Sequence, residues 1–190
     1  MKKLILLFFV SVSFLACDEE VYTPKPKGYF RIDLPEKKYE LYSDNCPFSF
    51  EKPVYSSISR NPNYSNQCWF NLDFKSLQAT VYFSYEPINN NLDTFLENSR
   101  TLAFKHTVKA TDIEQIPLLF PEKRVFGLVY DIKGDAASEY QFHITDSTTH
   151  FLRGSLYFNT VPNQDSIAPA LEFVKKDIEH LFQTFQWKKS

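Results

Sequence analysis

The chain has 190 residues, 43% of them apolar and 23% charged, a composition that excludes disorder, collagen-like repeats and a multi-span membrane protein. Lys and Arg total 21 and Asp and Glu 23, so the formal charge of -2 offers no bulk attraction to nucleic acid. Nineteen Phe and 11 Tyr against four Gly suit half-buried pleated surfaces and predict a sheet-rich core.

Residues 1–16 read as a signal peptide. Lys2 and Lys3 give a basic start, Leu4 to Leu15 form an apolar stretch interrupted only by Ser11 and Ser13, and Ala16-Cys17 closes it. The stretch is shorter than the ~20 residues a permanent span requires and matches an export signal. Phe14-Leu15-Ala16-Cys17 resembles the bacterial lipobox, in which the cysteine sulfur is acylated and becomes the new N-terminus, although Phe14 replaces the usual Leu. Cys17 is therefore the predicted lipidation site, with acyl chains such as palmitate holding the protein at a membrane. Acidic Asp18-Glu19-Glu20 and the Pro-rich Thr23 to Gly28 follow, so residues 17–28 read as an extended tether and residues 29–190 as a single globular domain.

Phe30, Ile32 and Leu34 alternate with polar neighbours and predict a short strand stopped by Pro35. Cys46 and Cys68 fall on the apolar phase of two alternating segments, Cys46-Phe48-Phe50 and Cys68-Phe70-Leu72-Phe74, separated by a polar, turn-rich stretch. In an exported chain such a pair is most simply a disulfide; a metal site needs more ligands, and a redox pair the Cys-x-x-Cys spacing. Residues 79–85 read as a strong strand. Asn89 to Asn91 then cap a helix running from Leu92 to about His106, with Leu92, Phe95, Leu96, Leu102 and Ala103 as its apolar stripe. A loop around Pro117 and Pro121 leads to a strand at 125–132, with Phe126, Leu128, Tyr130 and Ile132 on one face.

The clearest element is a hairpin. Tyr140, Phe142 and Ile144 form its buried face, Glu139, Gln141 and His143 its exposed one, and Asp146-Ser147-Thr148 turns the chain into 149–158. A symmetric turn sets Phe142 opposite Leu152, Tyr140 opposite Gly154 and His150 opposite Ile144, and brings Gln141 and Glu139 to Arg153 on the solvent side. In the last helix Ser166 caps, Pro169 sits in the first turn, and Ile167, Leu171, Val174, Ile178, Leu181 and Phe185 form one stripe. No second hydrophobic core is expected. The whole reads as an α+β fold, an antiparallel β-sheet with two main helices packed on it, and its element order resembles the PsbP/Mog1-like sandwich.

Catalytic chemistry is sparse. Asp146, Ser147 and His150 suggest a hydrolase only superficially, because the Ser lacks a nucleophile elbow and sits among ordinary turn residues. His106, His143, His150 and His180 share no metal-ligand spacing, and His150 reads as a core histidine. Asp131, Asp135 and Glu139 flank a turn without the dense oxygen loop a hard cation needs, and read as a solvated turn. The four glycines form no phosphate loop. No metal, cofactor or catalytic residue is expected.

Lys25 to Pro35, Cys46-Pro47-Phe48-Ser49-Phe50, Cys68-Trp69, Ser99-Arg100 with Lys105-His106-Thr107, and the run from Gly134 to Phe158 resemble the GldD family of Bacteroidetes gliding-motility lipoproteins. The resemblance implies a lipid-anchored envelope subunit, required for gliding and linked to type IX secretion, that is not an enzyme and binds other gliding or secretion proteins. Acidic residues after the cysteine resemble the surface-export signals of Bacteroidetes lipoproteins and favour the outer membrane; the alternative is the periplasmic face of the inner membrane. The second reading is an anchored binder or enzyme for a small envelope ligand such as a glycan, stacked on Trp69, Tyr82 or Tyr157. The strand face with Arg153 and the loop at 56–67 are the candidate contact surfaces.

Overall fold

The computed structural model describes residues 33–160 and 164–188. Cys17, the signal peptide and the tether lie outside the described residues, as does most of the strand expected at 29–34; Asp33 and Leu34 are not in a strand. Two antiparallel sheets form. The smaller has the order β1 (Tyr39–Ser43), β2 (Phe48–Pro53), β10 (Gln186–Trp187). The larger has seven strands in the order β3 (Ser57–Ser59), β4 (Phe70–Phe74), β5 (Ala79–Pro87), β9 (His150–Phe158), β8 (Tyr140–Thr145), β7 (Val125–Gly134), β6 (Ala110–Phe120). Helix α1 (Leu92–Phe104) lies on one face of the large sheet; helix α2 (Gln164–Thr184) and the small sheet cover the other.

Alternation builds the main core. Phe70, Leu72 and Phe74 of β4, Val81 and Phe83 of β5, Phe142 and Ile144 of β8, and Leu152 and Leu156 of β9 all point inward. The stripe of α2 meets them, with Ile167, Leu171, Val174, Ile178, Leu181 and Phe185 buried. Phe48 and Phe50 complete a stack of rings: Phe70 lies 4.7 Å from Phe83, and Phe185 5.8 Å from Phe48. Full burial of each such ring contributes about 2 kcal/mol.

Several links join the small sheet to the rest, a disulfide and a buried carboxylate among them. Cys46 and Cys68 form a disulfide with a Cα–Cα distance of 5.6 Å, tying the residues that lead into β2 and β4. Asp177, only 1% exposed on α2, accepts hydrogen bonds from Lys37 Nζ at 2.6 Å, Tyr39 OH at 3.0 Å and Tyr55 OH at 2.7 Å. A buried carboxylate is tolerated only with such partners, so this residue binds α2 to β1 and to the turn after β2.

Several expectations are corrected. The stretch 110–120 is the edge strand β6 rather than a loop. Its faces are largely exposed, which removes the alternating pattern, and an edge strand tolerates Pro117 because half of its N–H groups face solvent. The hairpin register is shifted by two: Phe142 opposes Gly154, Ile144 opposes Leu152 and His143 opposes Arg153. The turn takes two residues more on its outgoing side, because the Asp146 carboxylate accepts the N–H groups of Thr148, Thr149 and His150. His150 thereby pairs with Pro87 of β5. Glu139, Gln141 and His143 are not solvated, because α1 and the 134–139 turn cover them. Beneath α1 lies a second, smaller apolar cluster of Ala103, Tyr130, Ile132 and Ala136. Leu102 turns outward, and the Asn91 side chain accepts the Asn89 N–H at 2.8 Å instead of capping α1. Helix α2 begins at Gln164, so Pro169 falls in its second turn and withdraws one helical donor.

A Cβ on Gly154 would lie 2.1 Å from Phe142 Cζ, and that ring is held 4.8 Å from Phe182 and 5.8 Å from Phe83. Gly154→Ala is expected to lose about 2 kcal/mol of unfolding free energy in urea titrations, part of which Phe142→Leu restores. Reducing the Cys46–Cys68 bond, which closes a separation of 22 residues, should cost about 3 kcal/mol and lower the unfolding midpoint in differential scanning calorimetry.

Candidate functional site

The residues of the large sheet that point away from the phenylalanine core are mostly polar. The register aligns them in rows: Tyr130, Gln141, Ser155, Tyr82 and Asn71 in one, and Leu128, His143, Arg153 and Ser84 in the next. Trp69, just before β4, extends the second row. Helix α1 covers the β7–β8 end of these rows, and at the β9–β5–β4 end a groove of about 510 Å³ stays open, a volume within the range of small-ligand sites.

Two aromatic pairs wall the groove. Tyr64 meets Trp69 edge-on at 5.4 Å, and Tyr82 meets Tyr157 edge-on at 5.6 Å. Trp69 is fixed by its Nε1 donating to the Tyr85 carbonyl at 3.0 Å, an acceptor shared with Asn66 Nδ2 at 2.8 Å. Arg153 and Ser155 contribute to the floor, and among the described residues Arg153 is the only charged side chain in the lining. Its Nη2 donates to Gln141 Oε1 at 2.6 Å, and among the described residues no carboxylate pairs with it. Burial lowers its pKa, Tyr157 and Tyr130 raise it, and the guanidinium stays a cation.

Around this floor five buried polar atoms lack a protein hydrogen-bond partner: Ser138 Oγ, Glu139 Oε2, Gln141 Nε2, His143 Nδ1 and Ser155 Oγ. Buried groups of this kind are rare enough that a cluster of them calls for a cause. Burial pushes the Glu139 carboxyl up to about 7, against the pull of its own backbone N–H and Lys175. Burial, helped by Arg153, pushes His143 down to about 4. Both side chains are thus held toward their neutral forms.

The structure brings Trp69, Tyr82 and Tyr157 together in one groove and sets Arg153 between them, with Tyr64 supplied by the loop after β3, the strand that takes up residues 57–59 of the loop expected at 56–67. It does not assemble the histidines. His150 bonds Tyr85 OH through Nδ1 at 2.8 Å and stacks on Trp187, whereas His180 bonds Glu51 through Nε2 at 2.7 Å and stacks on Tyr39. Burial raises the Asp146 pKa, but the N–H groups of Thr149, His150 and Thr148 outweigh it and hold the carboxylate at about 2. Asp131 pairs with Lys175 at 2.8 Å, so the expected solvated turn is instead a tethered and largely buried one. Among the described residues no three His, Cys, Asp or Glu side chains cluster as a metal site. Sequence reasoning missed Asn71, Ser155 and Asp177; the outward phase of β4 and β9 was the available signal for the first two.

The family model described as gliding motility lipoprotein GldD matches residues 19–187. The fold is that of the solution structure of cyanobacterial PsbP (CyanoP) from Synechocystis sp. PCC 6803, at a TM-score of 0.50 and 9% identity, covering 82% of this chain and 95% of that one. The chain is therefore an α+β, PsbP-like sandwich of antiparallel sheets with two helices. No curated protein matches the chain significantly.

Glu139 generates a pH prediction. Below its ordinary value of 4.5 the folded and unfolded chains both keep the proton; between 4.5 and about 7 only the unfolded chain releases it, so stability falls as pH rises and the penalty is constant above. Glu139→Gln is expected to match the parent near pH ~4 and to exceed it by on the order of 3 kcal/mol near pH ~8 in urea titrations. The opposite effect of His143 is common to both proteins and cancels in the comparison.

Proposed function

The chain belongs to the GldD family of gliding motility lipoproteins, and on that premise we propose that it is a non-enzymatic envelope subunit that assembles or stabilises the gliding apparatus and the type IX secretion system linked to it. The family match over residues 19–187 carries this reading. Membership in a lipoprotein family implies envelope association. In this reading acylated Cys17 is the anchor, and burial of its chains at about 0.8 kcal/mol per CH₂ holds the domain at the bilayer. The acidic run after Cys17 favours the outer membrane.

Support comes from how the reactive side chains are used. Asp146 organises the hairpin turn, His150 is tied to Tyr85, His180 to Glu51, and Asp177 clamps α2 to β1. Each is engaged in holding the fold, as a scaffold requires. One observation favours a second reading, an anchored binder of a small envelope ligand: the groove between Trp69, Tyr82 and Tyr157.

Deleting the gene should abolish spreading on agar and retain type IX cargo inside the cell. A Cys17→Ser form should leave the membrane fraction and fail to restore gliding. Normal gliding and secretion in the deletion strain would overturn the assembly role.

A further inference from the structure

Three features of the groove bear on what it holds. First, Arg153 is a largely buried guanidinium whose one hydrogen bond among the described residues is to a neutral amide. Buried charges are ordinarily paired, so a floor cation with no carboxylate partner among the described residues leaves the rest of its planar donor fork available. Second, Ser155 is 2% exposed, lines the groove, and its Oγ has no protein partner. Third, the walls are amphipathic rings, and Tyr82 is 46% exposed.

Together these define a ligand with one planar anionic group, at least one hydroxyl, and flat apolar faces. A phosphate or sulfate fits less well, because its larger charge calls for several cationic donors and Arg153 is the single charge in the lining among the described residues. A peptide carboxy-terminus supplies the anion but neither the ring hydroxyls nor the stacked faces.

We infer that this groove binds a uronate unit of an acidic polysaccharide, with Arg153 gripping the carboxylate, Ser155 bonding a ring hydroxyl, and Tyr82, Tyr157 and Trp69 packing against the sugar faces. Gln141 acts as a positioning residue: its Oε1 takes one guanidinium N–H and aims the remaining fork into the groove. The inference rests on the ligand-binding reading above and names its substrate class.

The test is calorimetric titration of the full chain, purified in detergent, with trigalacturonate, its methyl ester, the neutral trisaccharide trigalactose and inorganic phosphate. The acid should bind saturably and at least roughly tenfold more tightly than the ester, the loss expected when a charged hydrogen-bond partner is removed. Arg153→Gln and Arg153→Lys should both abolish this preference, and the exposed Tyr82→Ala should weaken acid, ester and neutral sugar alike. The ester comparison uses the unaltered protein and so does not depend on how a variant folds. Equal binding of acid, ester and neutral sugar would overturn the uronate assignment while leaving a glycan-binding groove. Phosphate competing as well as the acid would reduce the site to an anion contact and overturn it too. No saturable binding of any probe up to about 10 mM would remove both the assignment and the ligand-binding reading.

Discussion

A seven-stranded sheet has two broad faces to cover, and this chain covers them unequally. The 21-residue helix α2, with the small sheet beside it, seals one face over a core of stacked phenylalanines. The 13-residue helix α1 reaches only part of the other. Apolar burial scales with area, so the sealed face supplies most of the stability and the half-covered face is released to carry polar residues. The disulfide and the Asp177 clamp keep the sealing layer in place.

That inequality produces the site. Where α1 does lie over the sheet, Glu139, Gln141 and His143 are trapped in a poor solvent for charge, and Glu139 and His143 shift toward neutrality. Where α1 stops, the same rows of side chains run on to the groove as Arg153, Ser155, Tyr82 and Trp69. The hydrogen bond from Arg153 to Gln141 joins the two regions, so the covered polar residues hold the cation of the groove floor in its place.

Much of the fold was legible because its core obeys simple periodicities. Cys46-Phe48-Phe50 and Cys68-Phe70-Leu72-Phe74 carry the period of two, and Ile167 to Phe185 carry the helical period. What was illegible lacks a local signal. Strand β6 is an edge with solvent on most sides, so nothing selects its residues for alternation. The hairpin register depends on how many N–H groups the Asp146 carboxylate gathers, which spacing does not reveal. The burial of Gln141 and His143 depends on α1, more than thirty residues away along the chain, crossing over them. In the candidate site the aromatic residues were named from the sequence, but Ser155 was not, and Arg153 read as one more exposed strand residue until the rows were aligned.

As a member of a gliding lipoprotein family, the protein has a domain in which the reactive groups named above mostly hold the fold, while Arg153, with no carboxylate partner among the described residues, lines an aromatic groove. On this account the groove is the working surface of an anchored subunit. Gliding speed in cells that carry Arg153→Gln as their sole copy tests that claim most directly. The account predicts that gliding is lost while the protein stays at its normal level in the membrane fraction. Undiminished gliding at that level would contradict it.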